Sequence, residues 1–267
     1  MPYIQLNSGR FHYRERGSGP LAVFVHGFPL DSTMWLDQLR GLSDVRRCVA
    51  IDLAGSGRSD PIADEALTME RHAGDVADLI ESLGEVQADV IALSMGGYVA
   101  LALWEYHHPL VRSLALVDTR AGADNDAGRA KRDVMAIKTL VQGRQQLGHD
   151  MVGALLGPEA KLQAKARLRS MIEATPYETI VASIEGMKQR PDRTAVLSTI
   201  TVPTVVVVGE HDAVTPPAEA EAMATTINNA KLEVVRGAGH MSPIEQPAAV
   251  GAILGAHFAQ VDTPDAG

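Results

Sequence analysis

Ser94 stands in the run Ala92-Leu93-Ser94-Met95-Gly96-Gly97, between a strand-like stretch and a helical one. A serine hydroxyl attacks a carbonyl only when a base takes its proton and an acid orients that base. A sharp strand-to-helix turn that presents such a serine needs small residues two positions on either side. Ala92 and Gly96 fill those positions, with alanine where glycine is usual. The turn points the hydroxyl out of the sheet. It also sets the Met95 N–H at the start of a helix, facing the place where an oxyanion would form. The bare pattern S-x-G-G is common, and a helix-capping serine gives the same letters. Its strand–turn–helix setting is what gives it weight.

Of nine histidines, His240 is the candidate base. It lies in Gly237-Ala238-Gly239-His240-Met241-Ser242-Pro243, a glycine-rich loop between a late strand and the last helix. Its position completes the chain order Ser, Asp, His. His107 and His108 sit at a helix end, where they favour the dipole. His211 adjoins another candidate and is less suitably placed. Asp212, in Gly209-Glu210-His211-Asp212-Ala213-Val214-Thr215-Pro216, follows a valine-rich strand and is the favoured acid. Asp118, at the end of the preceding strand, is the second choice, or else a carboxylate that braces the helical stretch after that strand. A second oxyanion donor is the Phe28 N–H in His26-Gly27-Phe28-Pro29, where Gly27 permits close approach and His26 braces the loop. Each such donor is worth roughly a hundredfold to a thousandfold in rate. The run from Asp52 to Ser59 contains G-x-G, but no third glycine, no following helix and no G-K-[ST] ending, so neither nucleotide motif applies. It reads as a loop packed beside the catalytic one.

These residues need a frame. Tyr3–Leu6 and Phe11–Arg16 flank a hairpin turn, and Leu21–Val25, Arg46–Ile51, Asp89–Leu93, Val111–Asp118, Val202–Gly209 and Lys231–Arg236 read as further strands. Helical patterns cover Thr68–Leu83, Gly96–His107, Pro217–Ile227 and Pro243–Phe258. This alternation suits right-handed crossovers and a mostly parallel sheet. From 121 to 190 there is no convincing strand. Ala127–Val141, Gln145–Leu155, Glu159–Ala174 and Tyr177–Lys188 are helical, and the stretch reads as an all-helical insertion after the sixth strand. Val261–Gly267 reads as a frayed end.

The chain has 267 residues, 46% apolar and 21% charged, which is one large domain or one and a half, and neither disordered nor fibrous. Aromatics are 4%, so aliphatic side chains fill the core. Lys and Arg number 24 against 33 Asp and Glu, a net charge of −9 with no basic face for nucleic acid. The insertion holds 11 basic and 8 acidic residues, net +3, leaving −12 on the remainder. Mixed surface charge is the simpler account. The sharper one is an entrance that attracts an anionic substrate. The single Cys48 excludes an intramolecular disulfide and a multi-cysteine metal site. The N-terminus lacks a signal-peptide layout, and the uncharged run Val90–Trp104 falls short of the roughly 20 residues of a membrane span. A cytoplasmic protein with no membrane partner is expected; the oligomeric state is open.

Together, His26-Gly27-Phe28-Pro29, Asp52–Ser59, the Ser94 turn, Gly209–Asp212 and Gly239-His240 resemble the α/β-hydrolase superfamily, in the expected order from about residue 20 to 250. The Leu-Ser-Met-Gly-Gly turn and the run from Gly239 to Pro247 are similar to small bacterial esterases and 3-oxoadipate enol-lactonases. The resemblance implies a mostly parallel eight-stranded sheet flanked by helices, a core of residues 1–120 and 191–267, and a helical cap at 121–190. It implies Ser94, Asp212 and His240 as the triad, Phe28 and Met95 as the oxyanion hole, and no metal or organic cofactor. The substrate would be a small ester or lactone. Haloalkane dehalogenases and epoxide hydrolases of this fold carry aspartate at the position of Ser94, which sets them aside. A lyase or cofactor-free oxygenase, with Lys138 as a cap lysine, and a ligand receptor are the other readings. The pocket is expected between cap and sheet beneath Met135, Met151, Met171 and Met187. Trp35 and Tyr98 either line it or anchor packing.

Overall fold

A computed structural model describes residues 2–61 and 65–263. β1 (Tyr3–Leu6) and β2 (Gly9–Arg16) form the opening hairpin, with Leu6 opposite Gly9. β3 (Leu21–Val25) leads into a 3-10 turn and α1 (Leu36–Leu42), then β4 (Arg47–Ile51), α2 (Met69–Ser82), β5 (Ala88–Leu93), α3 (Met95–His107) and β6 (Val111–Val117). Four helices come next without a strand: α4 (Asp126–Gln142), α5 (Arg144–Leu155), α6 (Leu162–Ala174) and α7 (Tyr177–Gln189). The chain closes with β7 (Thr204–Gly209), α8 (Pro217–Thr226), β8 (Lys231–Val235), α9 (Ser242–Glu245) and α10 (Pro247–Asp262).

The eight strands make one sheet in the order β1-β2-β4-β3-β5-β6-β7-β8. β1, β2 and β4 pair antiparallel, and every other pair is parallel. β3, β5 and β7 are buried along their whole length. Strands covered on both faces read as continuous apolar runs, and β-branched valines suit them. α3 buries every residue from Met95 to Trp104, as a helix apolar all round must. β4 and β5 lie on opposite sides of β3, so the strand order reverses there. In an open α/β sheet the crevice beyond the carboxyl ends at such a reversal is where ligands bind. The loops holding Phe28, Ser94, Asp118, Asp212 and His240 all leave the carboxyl ends of strands or return toward them.

Three elements differ from expectation. α1 has no counterpart among the expected helices, since seven residues carry too short a period to read. The single helix expected at Pro243–Phe258 is two, broken at Gln246 (φ −129°, ψ 59°), because the residue before Pro247 is pushed out of the helical region. The last helix then runs to Asp262, so Val261 and Asp262 are not frayed, while positions from 264 lie outside the described residues. Its end is fastened by Arg46. That buried guanidinium bonds Asp89 at 2.7 Å and Asp262 at 2.8 Å and lies 4.4 Å from the Phe258 ring. Among the described residues no helix is long and apolar enough to cross a membrane.

Candidate active site

Ser94 sits between β5 and α3 at φ 53°, a left-handed value that a non-glycine residue adopts at a cost of about 1–3 kcal/mol. Its surroundings hold it there. The Ser94 N–H donates to Val117 O at 3.0 Å, and the Thr119 hydroxyl donates to Ser94 O at 2.7 Å. A Cβ on Gly96 would lie 2.5 Å from Val25 O, and one on Gly97 2.3 Å from Thr119 Oγ1. Both glycines are therefore required for α3 to start this close to β3 and β6. The Ser94 turn's spacing marks Gly96, whereas the requirement for glycine at 97 comes from Thr119, which reaches it only on folding.

Ser94 Oγ lies 2.8 Å from His240 Nε2, and His240 Nδ1 lies 2.7 Å from Asp212 Oδ2. With Nδ1–H donating to the carboxylate, Nε2 is left to accept the serine proton. Asp212 also accepts the N–H groups of Val214 (2.8 Å) and Thr215 (2.9 Å) and the Thr215 hydroxyl (2.7 Å). Burial would raise its carboxyl. The bond from His240, that group's charge and the two Thr215 donors outweigh burial and hold it below the usual carboxylate range. Thr215 lies inside the run that marks Asp212, but spacing alone gives no sign that it is a partner of that carboxylate.

Asp118, the second choice for the acid, faces other groups. It accepts the Gly209 N–H at 2.8 Å and both the N–H (3.0 Å) and hydroxyl (2.6 Å) of Ser242. Burial pushes its carboxyl up to about 7, against the pull of the His240 charge. Its contacts brace the ends of β6 and β7 and the start of α9.

The loop after β3 closes onto Ser94 because residue 27 is glycine: a Cβ there would lie 2.8 Å from Leu93 Cδ2 and 3.3 Å from Ser94 Cβ. Buried His26 braces this loop, donating from Nδ1 to Gly27 O (2.9 Å) and accepting the Leu53 N–H at Nε2 (3.0 Å). Burial lowers its pKa, which suits a neutral ring in a fixed tautomer. The Asp52–Ser59 loop packs alongside through Leu53. Among the described residues, neither the Phe28 nor the Met95 N–H has a hydrogen-bond acceptor.

The expected lining residues divide. Trp35 is fully buried with its ring 5.4 Å from Phe24, so it anchors packing and does not line a pocket. The 3-10 turn Ser32–Trp35 turns the indole inward onto β3. Tyr98 is 5% exposed, its ring beneath the Arg190 guanidinium at 4.2 Å. Met135 borders a cavity of about 230 Å³ between α4 and α5, with Lys131, Leu147 and Met151. That cavity is bounded by residues of α4 and α5 alone. Lys138 is 54% exposed and pairs with Asp150 at 3.7 Å across the same two helices, so it is a surface residue and not a cap lysine aimed at Ser94.

Known proteins are similar to this chain to different extents. A family model described as the alpha/beta hydrolase fold matches residues 20–247. Over 231 residues the chain is 26% identical to 3-oxoadipate enol-lactonase 1 of Acinetobacter baylyi, covering 86% of this chain and 85% of that one. A shorter stretch of 115 residues is 39% identical to epoxide hydrolase 1 of Caenorhabditis elegans, 42% of this chain but 28% of that protein. The structure of a thermophilic esterase from Thermogutta terrifontis, with malate bound, superposes with a TM-score of 0.93 at 34% identity over 98% of this chain and 99% of that one. The family match runs from the residue before β3 to the first residue of α10, through every element that brings a side chain to Ser94, and the chain belongs to the α/β-hydrolase fold family.

Proposed function

We propose that this protein is a serine hydrolase that cleaves a carboxylic ester or lactone of a small substrate through an acyl-enzyme. One observation carries the reading: the unbroken line Asp212–His240–Ser94, with links of 2.7 and 2.8 Å, ending on a serine at the start of α3. In this reading Ser94 attacks the carbonyl, His240 takes its proton, and Asp212 holds the imidazole tautomer and stabilises the imidazolium. The Phe28 and Met95 amides receive the oxyanion. His240 returns the proton to the leaving oxygen. It then activates the water that releases the acid. A serine at the turn, where a carboxylate nucleophile would serve epoxide or haloalkane opening, favours acyl transfer.

Residues 1–120 and 191–267 are the proposed catalytic core and 121–190 the cap over it. The cap is docked through specific bonds: the Thr175 hydroxyl to Pro29 O at 2.9 Å, the Thr179 hydroxyl to Gly55 O at 2.8 Å, and Arg167 to Asp37 at 2.6 Å. Two of these lie on the loops nearest the oxyanion site, so cap contacts shape what reaches Ser94.

The test is a panel of p-nitrophenyl esters and simple lactones assayed with parent and Ser94→Ala. Turnover of a small activated ester falls by about 10⁴-fold or more in the variant, with an unchanged circular dichroism spectrum. A folded Ser94→Ala as active as the parent refutes the assignment.

A further inference from the structure

We infer that Glu245 is a positioning residue for His240 that ties the catalytic base to the cap. Glu245 ends α9, five residues after His240, and is 9% exposed. Its Oε1 accepts the N–H of Gly239 at 2.9 Å and of Met241 at 3.3 Å, the two amides on either side of His240. Its Oε2 accepts the N–H of Gly157, in the cap loop between α5 and α6, at 2.7 Å. The His240 N–H in turn donates to Leu155 O, at the end of α5, at 2.8 Å. The base therefore hangs between a core carboxylate and a cap carbonyl.

The backbones touch as well. A Cβ on Gly157 would lie 2.8 Å from Gly239 N, and one on Gly239 would lie 2.4 Å from Gly157 N. A buried carboxylate is costly unless its lone pairs are filled, and here three amides fill them. Only an acceptor with two oxygens can serve donors on both sides. A glutamine would turn its NH₂ toward one set of N–H groups. Geometry at the reacting atoms is what such a clamp protects: a displacement of about 1 Å can cost about a hundredfold in rate. The cap loop cannot leave the core without moving His240, so cap seating and base alignment are one event.

The inference rests on the role proposed for His240. Glu245→Gln, Gly157→Ala and Ser113→Ala are compared with the parent for kcat, KM, thermal midpoint and the low-field Nδ1–H proton resonance of His240 in the resting protein. Ser113 serves as the stability control: it lies at the opposite end of β6, where its hydroxyl bonds Asp89 and His257. Glu245→Gln lowers kcat by about tenfold to a hundredfold with little change in KM, and shifts or broadens the resonance. Gly157→Ala, which pushes the cap loop off the histidine loop, does the same to a smaller extent and carries the comparison if Glu245→Gln does not fold. Ser113→Ala loses stability but keeps kcat and the resonance. The inference is overturned if both site variants keep kcat and the resonance, or if kcat falls only in step with stability in all three while the resonance stays put. If the parent shows no Ser94-dependent turnover, the hydrolase reading fails, and the resonance alone still decides the positioning role.

Discussion

Two aspartates interact with the charge of His240, and burial raises the carboxyl of both, but their donors differ. Asp212 has donors enough to stay ionised. Asp118 is fully buried, and its carboxyl is pushed from an ordinary 3.8 up to about 7. Between those pH values the folded chain holds a proton that the unfolded chain has released. The stability from the neutral carboxyl is therefore full below pH 3.8 and is lost as pH rises through about 7, at most about 4 kcal/mol. Asp118→Asn cannot ionise, although its NH₂ opposes one of the donors from Gly209 and Ser242 and lowers stability at every pH. Urea melts at pH 5 and pH 8 give the comparison: the variant loses less stability than the parent between the two. An equal loss in both removes Asp118 as the source. At this scale the triad was legible, because Ser94, Asp212 and His240 lie in runs of glycine and proline that mark the loops. The partners that hold them, Thr215, Thr119 and Glu245, were not, since each acts through a contact made by folding.

Elements meet where backbones can approach. α7 is docked on the chain just before α2: the Leu67 N–H donates to Ala182 O at 2.9 Å, and a Cβ on Gly186 would lie 1.8 Å from Leu67 O. Gly186→Ala must therefore push α7 away from the core. It lowers the unfolding free energy by about 1–3 kcal/mol, read as a fall in the urea midpoint at constant slope. A midpoint equal to the parent's would show that α7 seats without that contact. The succession of strands and helices along the chain was readable from the alternation of β-branched runs with helical periods, whereas the order of strands in the sheet was not. The split between α9 and α10 was marked by Pro247, yet one apolar stripe across the break concealed it. α1 escaped because its seven residues cover barely two turns.

Over the whole molecule the charge divides into net +3 on residues 121–190, the proposed cap, and −12 on the remainder, but the arginines of that stretch are largely paired. Arg132 and Arg190 converge on buried Asp124, whose carboxyl they hold far below the usual range against the cost of burial. Arg167 pairs with Asp37 of α1, and Lys188 with Asp133 at 2.6 Å. Paired charges project little field, so steering of an anionic substrate is weak. Between about 0.01 M and about 1 M salt the Debye length falls from about 30 Å to about 3 Å. Over that range kcat/KM for a carboxylate-bearing ester, relative to its neutral analogue, changes by less than about threefold. A large loss confined to the anionic ester would restore the attracting-entrance reading.

The sequence by itself determined the family, the order of strands and helices along the chain, and the three residues that meet in the line Asp212–His240–Ser94. Local patterns carry these: apolar period, β-branching, and glycine where the chain must turn sharply. Only the tertiary structure decided that Trp35 is core and that Met135 borders a cavity within the cap. It alone decided that Asp118 braces strand ends and that Glu245 joins Gly157 to the loop of His240. Those depend on which backbone N–H or aromatic face arrives from a segment distant in the chain, and no spacing along the sequence encodes that.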